Sequence, residues 1–165
     1  MKKYVKAADN VFYQDSGGRA DIAVGTDDLD VLYMLMFDPD RRVRGAVALN
    51  RYTPQDILVE LAKDSSTYVR ECVASRVDDL AIILKLSKDP YEYVRQQLAQ
   101  NPNVPSYVLA DMANDWDVGV RMFIAGNMNT PKGVLETLAE SEDYDVSGAA
   151  KNTLFLLTGP ARFRF

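Results

Sequence analysis

With 165 residues, the chain has room for one domain or one short repeat array, and at 47% hydrophobic and 26% charged residues it is too apolar to be disordered. It has no histidine, and Cys72 is its only cysteine, which excludes an internal disulfide, a cysteine-ligated zinc or iron–sulfur centre, and the Ser-His and Cys-His nucleophile pairs. The net charge of −5 argues against a general phosphate-tracking surface. A lone cysteine suits a reducing compartment, and the expected location is cytoplasmic.

From the N-terminus, Lys2, Lys3 and Lys6 are followed by Asp9 and Asn10 before any apolar run of signal-peptide length, so no export is expected. The longest apolar stretches, such as 31–37, are far short of the roughly 20 residues that span a bilayer, and no membrane insertion is expected. Residues 1–37 are expected to form an N-terminal cap. Within it, 14–37 reads as a worn repeat, with Arg19, Ile22, Ala23 and Gly25 for a first helix and Val31, Leu32 and Leu35 for a second.

Residues 38–140 hold four clearer copies. Val-Arg recurs at Val43-Arg44, Val69-Arg70, Val94-Arg95 and Val120-Arg121, and Val146-Ser147 follows; the steps are 26, 25, 26 and 26 residues. Five residues before each valine stands Asp38, Asp64, Asp89, Asp115 or Ser141, residues that cap helices or close turns. Four residues after it come Val47, Val73, Leu98, Ile124 and Ala150, one helical turn along the same buried edge. Asn50, Asn101 and Asn127 then read as helix stops in the left-handed conformation. The second half of each copy opens with Thr53-Pro54, Asp78-Asp79, Val104-Pro105 or Thr130-Pro131, read as an N-cap followed by the first helical position. Apolar columns follow, for example Leu58, Ile83, Leu109 and Leu135, then Leu61, Leu86, Met112 and Leu138. Residues 141–165 begin a partial repeat, run into the apolar cap Leu154-Phe155-Leu156-Leu157, and end in an Arg-Phe-Arg-Phe tail read either as a short docking element or as a fold-back cap.

One such unit buries too little to offset its ordering entropy, roughly 1 to 2 kcal/mol per residue of backbone, so the chain reads as a single repeat domain, 1–165, with one continuous core. The pattern Asp-Pro-x-x-x-Val-Arg-x-x-(Val/Leu)-Ala-x-Asn-x-x-Thr-Pro-x-x-x-Leu-x-x-Leu-Ala, clearest from Asp38 to Ala62 and from Asp89 to Asn103, resembles the leucine-rich repeat variant family, a HEAT-like group. The resemblance implies an all-α, right-handed α-solenoid of two-helix repeats in which short 3₁₀ or α-helices alternate with α-helices. Some members of that family carry an iron–sulfur cluster on cysteines that this chain lacks, so no cofactor is carried over.

Functionally, these readings point to a protein-binding adaptor or inhibitor without catalysis, metal or cofactor. The alternative is a nucleic-acid-binding HEAT-like solenoid, which the net charge disfavours. Arg41, Arg42, Arg44 and Arg51 form the basic spot, since 38–63 has five basic and four acidic side chains against three and seven in 89–140. The Arg44, Arg70, Arg95 and Arg121 column either recognises anions or pairs with an aspartate or a helix-end carbonyl in its own or a neighbouring unit. The position before the repeat valine varies as Arg42, Tyr68, Tyr93, Gly119 and Asp145, and variation at a repeated exposed position is where one repeat protein encodes its partner. Arg41, Arg42, Tyr68 and Tyr93 are therefore the candidate partner-binding residues, with packing between repeats as the rival role for the tyrosines.

Overall fold

Among the residues described by this computed structural model, Val11 and 14–159, there are eleven α-helices and no strand. They are α1 (Ser16–Gly25), α2 (Leu29–Leu35), α3 (Arg41–Leu49), α4 (Gln55–Leu61), α5 (Thr67–Ala74), α6 (Leu80–Leu86), α7 (Glu92–Gln100), α8 (Ser106–Met112), α9 (Val118–Gly126), α10 (Lys132–Ala139) and α11 (Tyr144–Thr158). Residues 1–10 and the tail 160–165, to which a cap and a docking role were assigned, lie outside the described residues. The chain divides into two compact units, one ending at Ala74 and the other beginning at Ser75.

Each first helix turns its valine, the apolar residue four further on and the next alanine to one side, because a 3.6-residue turn stacks those positions. Val43, Val47 and Ala48 on α3 and Val120, Ile124 and Ala125 on α9 are all fully buried. In the first unit α1 packs on α3 and α3 on α5, with α2 and α4 filling between them. In the second unit α7 packs on α9 and α9 on α11, and α10 lies against α11.

Of the two forms the resemblance left open for the first helix, α is found: among the described residues both helices of each pair are α. Bonds to the carbonyl three residues back sit at helix ends, as from Val43 N–H to Asp40 O (3.0 Å) and Asn50 N–H to Val47 O (3.2 Å) on α3. A nine-residue first helix such as α3 exceeds the short runs that 3₁₀ geometry tolerates.

Two turn residues act differently from the sequence expectation. Asn50, Asn101 and Asn127 have extended backbone, φ −69, −69 and −80°, and not the left-handed conformation. Each is buried and reaches back one copy: Asn50 Nδ2 donates to Ala23 O and Thr26 O, Asn101 to Val77 O, and Asn127 to Ala99 O, at 2.6–2.7 Å. Their Oδ1 atoms accept the N–H two residues on, at Tyr52, Asn103 and Asn129. A buried carbonyl left without such a donor costs about 1–3 kcal/mol, so these amides hold one copy to the last. Thr53 and Thr130 do not cap the following helix either: their hydroxyls donate to Val47 O (2.5 Å) and Ile124 O (2.6 Å), and Pro54 and Pro131 stand at the N-cap. Asp79 does cap, accepting from Ile82 N–H.

Candidate protein-docking site

The site is built on the N-terminal ends of α1, α3 and α5, all in the first unit. Asp38 and Asp64 close the turns leading into α3 and α5 by accepting the N–H of Asp40 (2.9 Å) and Ser66 (2.8 Å). Their carboxylates also meet the arginine of the preceding copy. Arg19 places Nε and Nη2 on Asp38 at 2.6 and 3.1 Å, and Arg44 does the same to Asp64 at 2.7 and 3.0 Å. Arg44 Nη1 turns inward to Asp38 O at 2.7 Å. This bidentate geometry fixes direction as well as charge. The worn copy thus keeps the same joint as the clear ones.

The electrostatics follow from those bonds. Asp64 is pulled in opposite directions: burial raises its pKa, and the bonds from Arg44 and Ser66 N–H with the charges of Arg44 and Arg70 bring it below the usual carboxylate value. Arg44 is raised, first by its hydrogen bond to Asp64. The arginine column is therefore structural where its carboxylate is present, as the pairing alternative anticipated. In the second unit Arg95, 4% exposed, repeats the joint on Asp115 at 2.7 and 2.9 Å and is covered by Trp116, whose ring centroid lies 4.8 Å from Cζ.

Arg42 is exposed but already held, donating to Asp40 (Nη2 to Oδ2, 2.8 Å) and to the Ser16 hydroxyl (3.0 Å). The Asp40 carboxyl is held far below its ordinary value, chiefly by the Arg42 side chain and then by Arg42 N–H. Arg51 lies over its neighbour Tyr52, 4.6 Å from the centroid. Arg41 differs: no carboxylate or hydrogen-bond partner reaches it among the described residues, and its Cζ stands 6.0 Å from the Tyr68 ring centroid. Beside it opens a groove of about 730 Å³ lined by Ser16, Arg19, Pro39, Asp40, Arg41, Arg44, Ser65 and Ser66, in which Asp40 is already held by Arg42.

Tyr68 is 39% exposed and serves packing as well as surface. Its ring lies over Gly45 of α3, where an added Cβ would sit 2.6 Å from Cε1. The nearby Cys72 sulfur, and then burial, raise the phenol's pKa, while burial raises the Cys72 thiol. Gly119 shows the converse arrangement: the Gln96 amide fills the space a Cβ would take, 2.6 Å away, and donates to Asp117 at 2.9 Å. At Tyr68 and Gly119, variation in the column before the valine is matched by an opposite change in side-chain size one copy earlier. Tyr93, 59% exposed, belongs to the second unit; Arg41, Arg42 and Tyr68 come together in the first.

The sequence reading overlooked Ser16, Ser65 and Ser66. Ser16 was findable, since it stands 26 residues before Arg42, one repeat step. No group of three His, Cys, Asp or Glu side chains is placed to hold a metal among the described residues, and no described helix is long and apolar enough to cross a membrane. Compared with protein-family models, curated proteins and solved structures, the chain matches none.

Proposed function

We propose that the chain is a protein–protein interaction module, an adaptor or inhibitor without catalysis, working in the cytoplasm. In this reading the helical pairs wind as a right-handed α-solenoid of the leucine-rich repeat variant kind, one repeat domain with a cap at 1–37, four repeats at 38–140 and a closing cap at 141–165. Its partner docks at the groove of the first unit, placing a carboxylate on Arg41 and an apolar group against Tyr68. The observation that carries this is Arg41, a guanidinium that meets no carboxylate among the described residues and lies beside an open groove, while Arg19, Arg42 and Arg44 are each paired. Pairing of that kind also leaves little free charge for a phosphate-tracking surface, so the nucleic-acid alternative has less support.

A photo-crosslinking amino acid at Ser65, exposed on the groove's rim with Arg41 left intact, tests the docking. It should capture a discrete partner, and excess unlabelled chain should compete while the Arg41→Glu variant does not. The same probe at Glu60, exposed on α4, should capture nothing comparable. Equal capture at 65 and 60 would refute the groove. Tyr93→Ala, in the second unit, is a separate arm: lost affinity there would extend the contact beyond the first unit.

A further inference from the structure

The arginine column ends on an incomplete joint. Arg121 keeps the inward half, with Nη1 donating to Asp115 O at 2.7 Å and Trp116 O at 3.2 Å. Its Nε and Nη2 edge, which in Arg19, Arg44 and Arg95 grips the next aspartate, meets no carboxylate among the described residues. The reason is in the sequence: 26 residues after Asp115 stands Ser141. Ser141 still performs the other half of the aspartate's task. Its Oγ accepts Asp143 N–H at 3.2 Å, as Asp115 Oδ1 accepts Asp117 N–H at 2.9 Å. The hydroxyl thus holds the place of one carboxylate oxygen, and the oxygen that would face the arginine is missing.

We propose that Ser141 is a phosphorylation site and that the open edge of Arg121 is the receptor for its phosphate. A phosphoryl group on Oγ brings three acceptor oxygens to a joint where an aspartate elsewhere presents two, and guanidinium binds phosphate in the same bidentate manner. Covalent delivery is favoured over capture of a free anion, because Glu140, Glu142, Asp143 and Asp145 surround the position and repel a soluble one. The column tolerates negative charge there once an arginine faces it: Asp38 precedes Asp40 and Asp115 precedes Asp117 at the same two-residue spacing. Ser141 is partly exposed in the short linker between α10 and α11. The acidic residues after it fit a serine/threonine kinase with a basic substrate cleft. In the transfer, the bond from the γ-phosphorus of ATP to its β,γ-bridging oxygen breaks as the Ser141 Oγ–phosphorus bond forms. ADP leaves with the electron pair, and the hydroxyl proton passes to the kinase's base. The product ties the linker to α9, which already packs against α11.

The test uses the full chain, Mg-ATP and an acid-directed serine/threonine kinase, with sites mapped by mass spectrometry and melting followed before and after. One phosphoryl group is expected on Ser141 and none at that position in Ser141→Ala. Modification should raise Tm by about 2–4 °C, the scale of one added charge-assisted pair in a chain of this size, and should fail to raise it in Arg121→Gln. Ser141→Asp, which restores the column without a kinase, should shift Tm in the same direction. An unmodified Ser141 would overturn the site. An unchanged Tm on modification, or an equal rise in Arg121→Gln, would overturn the receptor.

Discussion

Arg41 in the first unit and Glu92 in the second occupy the same place, two residues before the repeat valine, and carry opposite charge. Beneath them the joints are nearly identical: Arg44 grips Asp64 at 2.7 and 3.0 Å, and Arg95 grips Asp115 at 2.7 and 2.9 Å. Around the second joint Trp116 closes over the guanidinium, whereas beside the first a groove opens between Arg41 and the serines. One set of columns holds the helices together, and the columns at its margin are free to set the surface. Binding is thus expected of the residues the joint does not use.

That division can be broken most severely at the core. Leu109, fully buried on α8, and Leu61, almost as buried on α4, should not accept a charge. Leu109→Asp or Leu61→Asp strands a carboxylate among apolar side chains, a cost of several kcal/mol that should consume much of the roughly 5–15 kcal/mol stability of a domain. Urea unfolding followed by far-ultraviolet circular dichroism reads the loss. Wild-type stability in both variants would mean that the core is wrongly assigned.

The next effect separates two arginines of one column. Arg95→Ala leaves the half-buried Asp115 without its counter-charge and should cost about 1.5–3 kcal/mol. Arg121→Ala removes only the inward bonds to carbonyls, and about 1 kcal/mol is expected. Equal losses on urea titration would show that the carboxylate is not what makes the joint.

How far these roles were legible in the sequence depends on whether the atoms involved lie within a copy or between copies. The columns of Val43, Val69, Val94 and Val120 and of the paired leucines identified the buried faces, because burial imposes the same residue type at every step. The recurrence of Arg44 with Asp64 exposed the pairing alternative for the same reason. Asn50 ends α3 as expected, but its amide's reach to the previous copy and the Thr53 hydroxyl's reach to the preceding helix were not legible, because the carbonyls they bond lie outside their local turns. Tyr68 was ambiguous because its partner, Gly45, is conspicuous only when set beside a ring from the following copy.

That contact gives a smaller effect with a distinctive sign. Gly45→Ala should destabilise by about 1–3 kcal/mol, since its methyl group meets the Tyr68 ring. In a Tyr68→Ala background the same change should be neutral or stabilising, because alanine favours the helix by about 0.8–1 kcal/mol over glycine. Additive costs in the double-mutant cycle would remove the ring-over-glycine contact.

Acid should act more weakly still. The Asp64 pKa is lowered on folding, so the unfolded chain binds more protons and stability rises with pH through the affected range. The contribution of Asp64 is fully present above the unfolded carboxylate value, about 3.9, and is lost as pH falls through the lower folded value. Asp117, lowered against burial by Gln96, Val120 N–H and the charge of Arg95, acts in the same window. Asp64→Asn should flatten the stability–pH curve below about pH 4, with little change of slope near neutrality. An unaltered acid slope in that variant would disprove the linkage.

Arg41 and Arg44 stand three residues apart on α3, one beside the groove and the other locked on Asp64, and comparing their alanine variants tests the central claim most directly. Calorimetric affinity for the crosslinked partner is to be measured together with Tm for Arg41→Ala and Arg44→Ala. Arg41→Ala should melt like wild type and bind at least about tenfold more weakly, the consequence of losing about 1.4 kcal/mol of contact. Arg44→Ala should melt lower. Wild-type affinity in Arg41→Ala, or a fall in its Tm matching that of Arg44→Ala, would contradict the division between joint and surface.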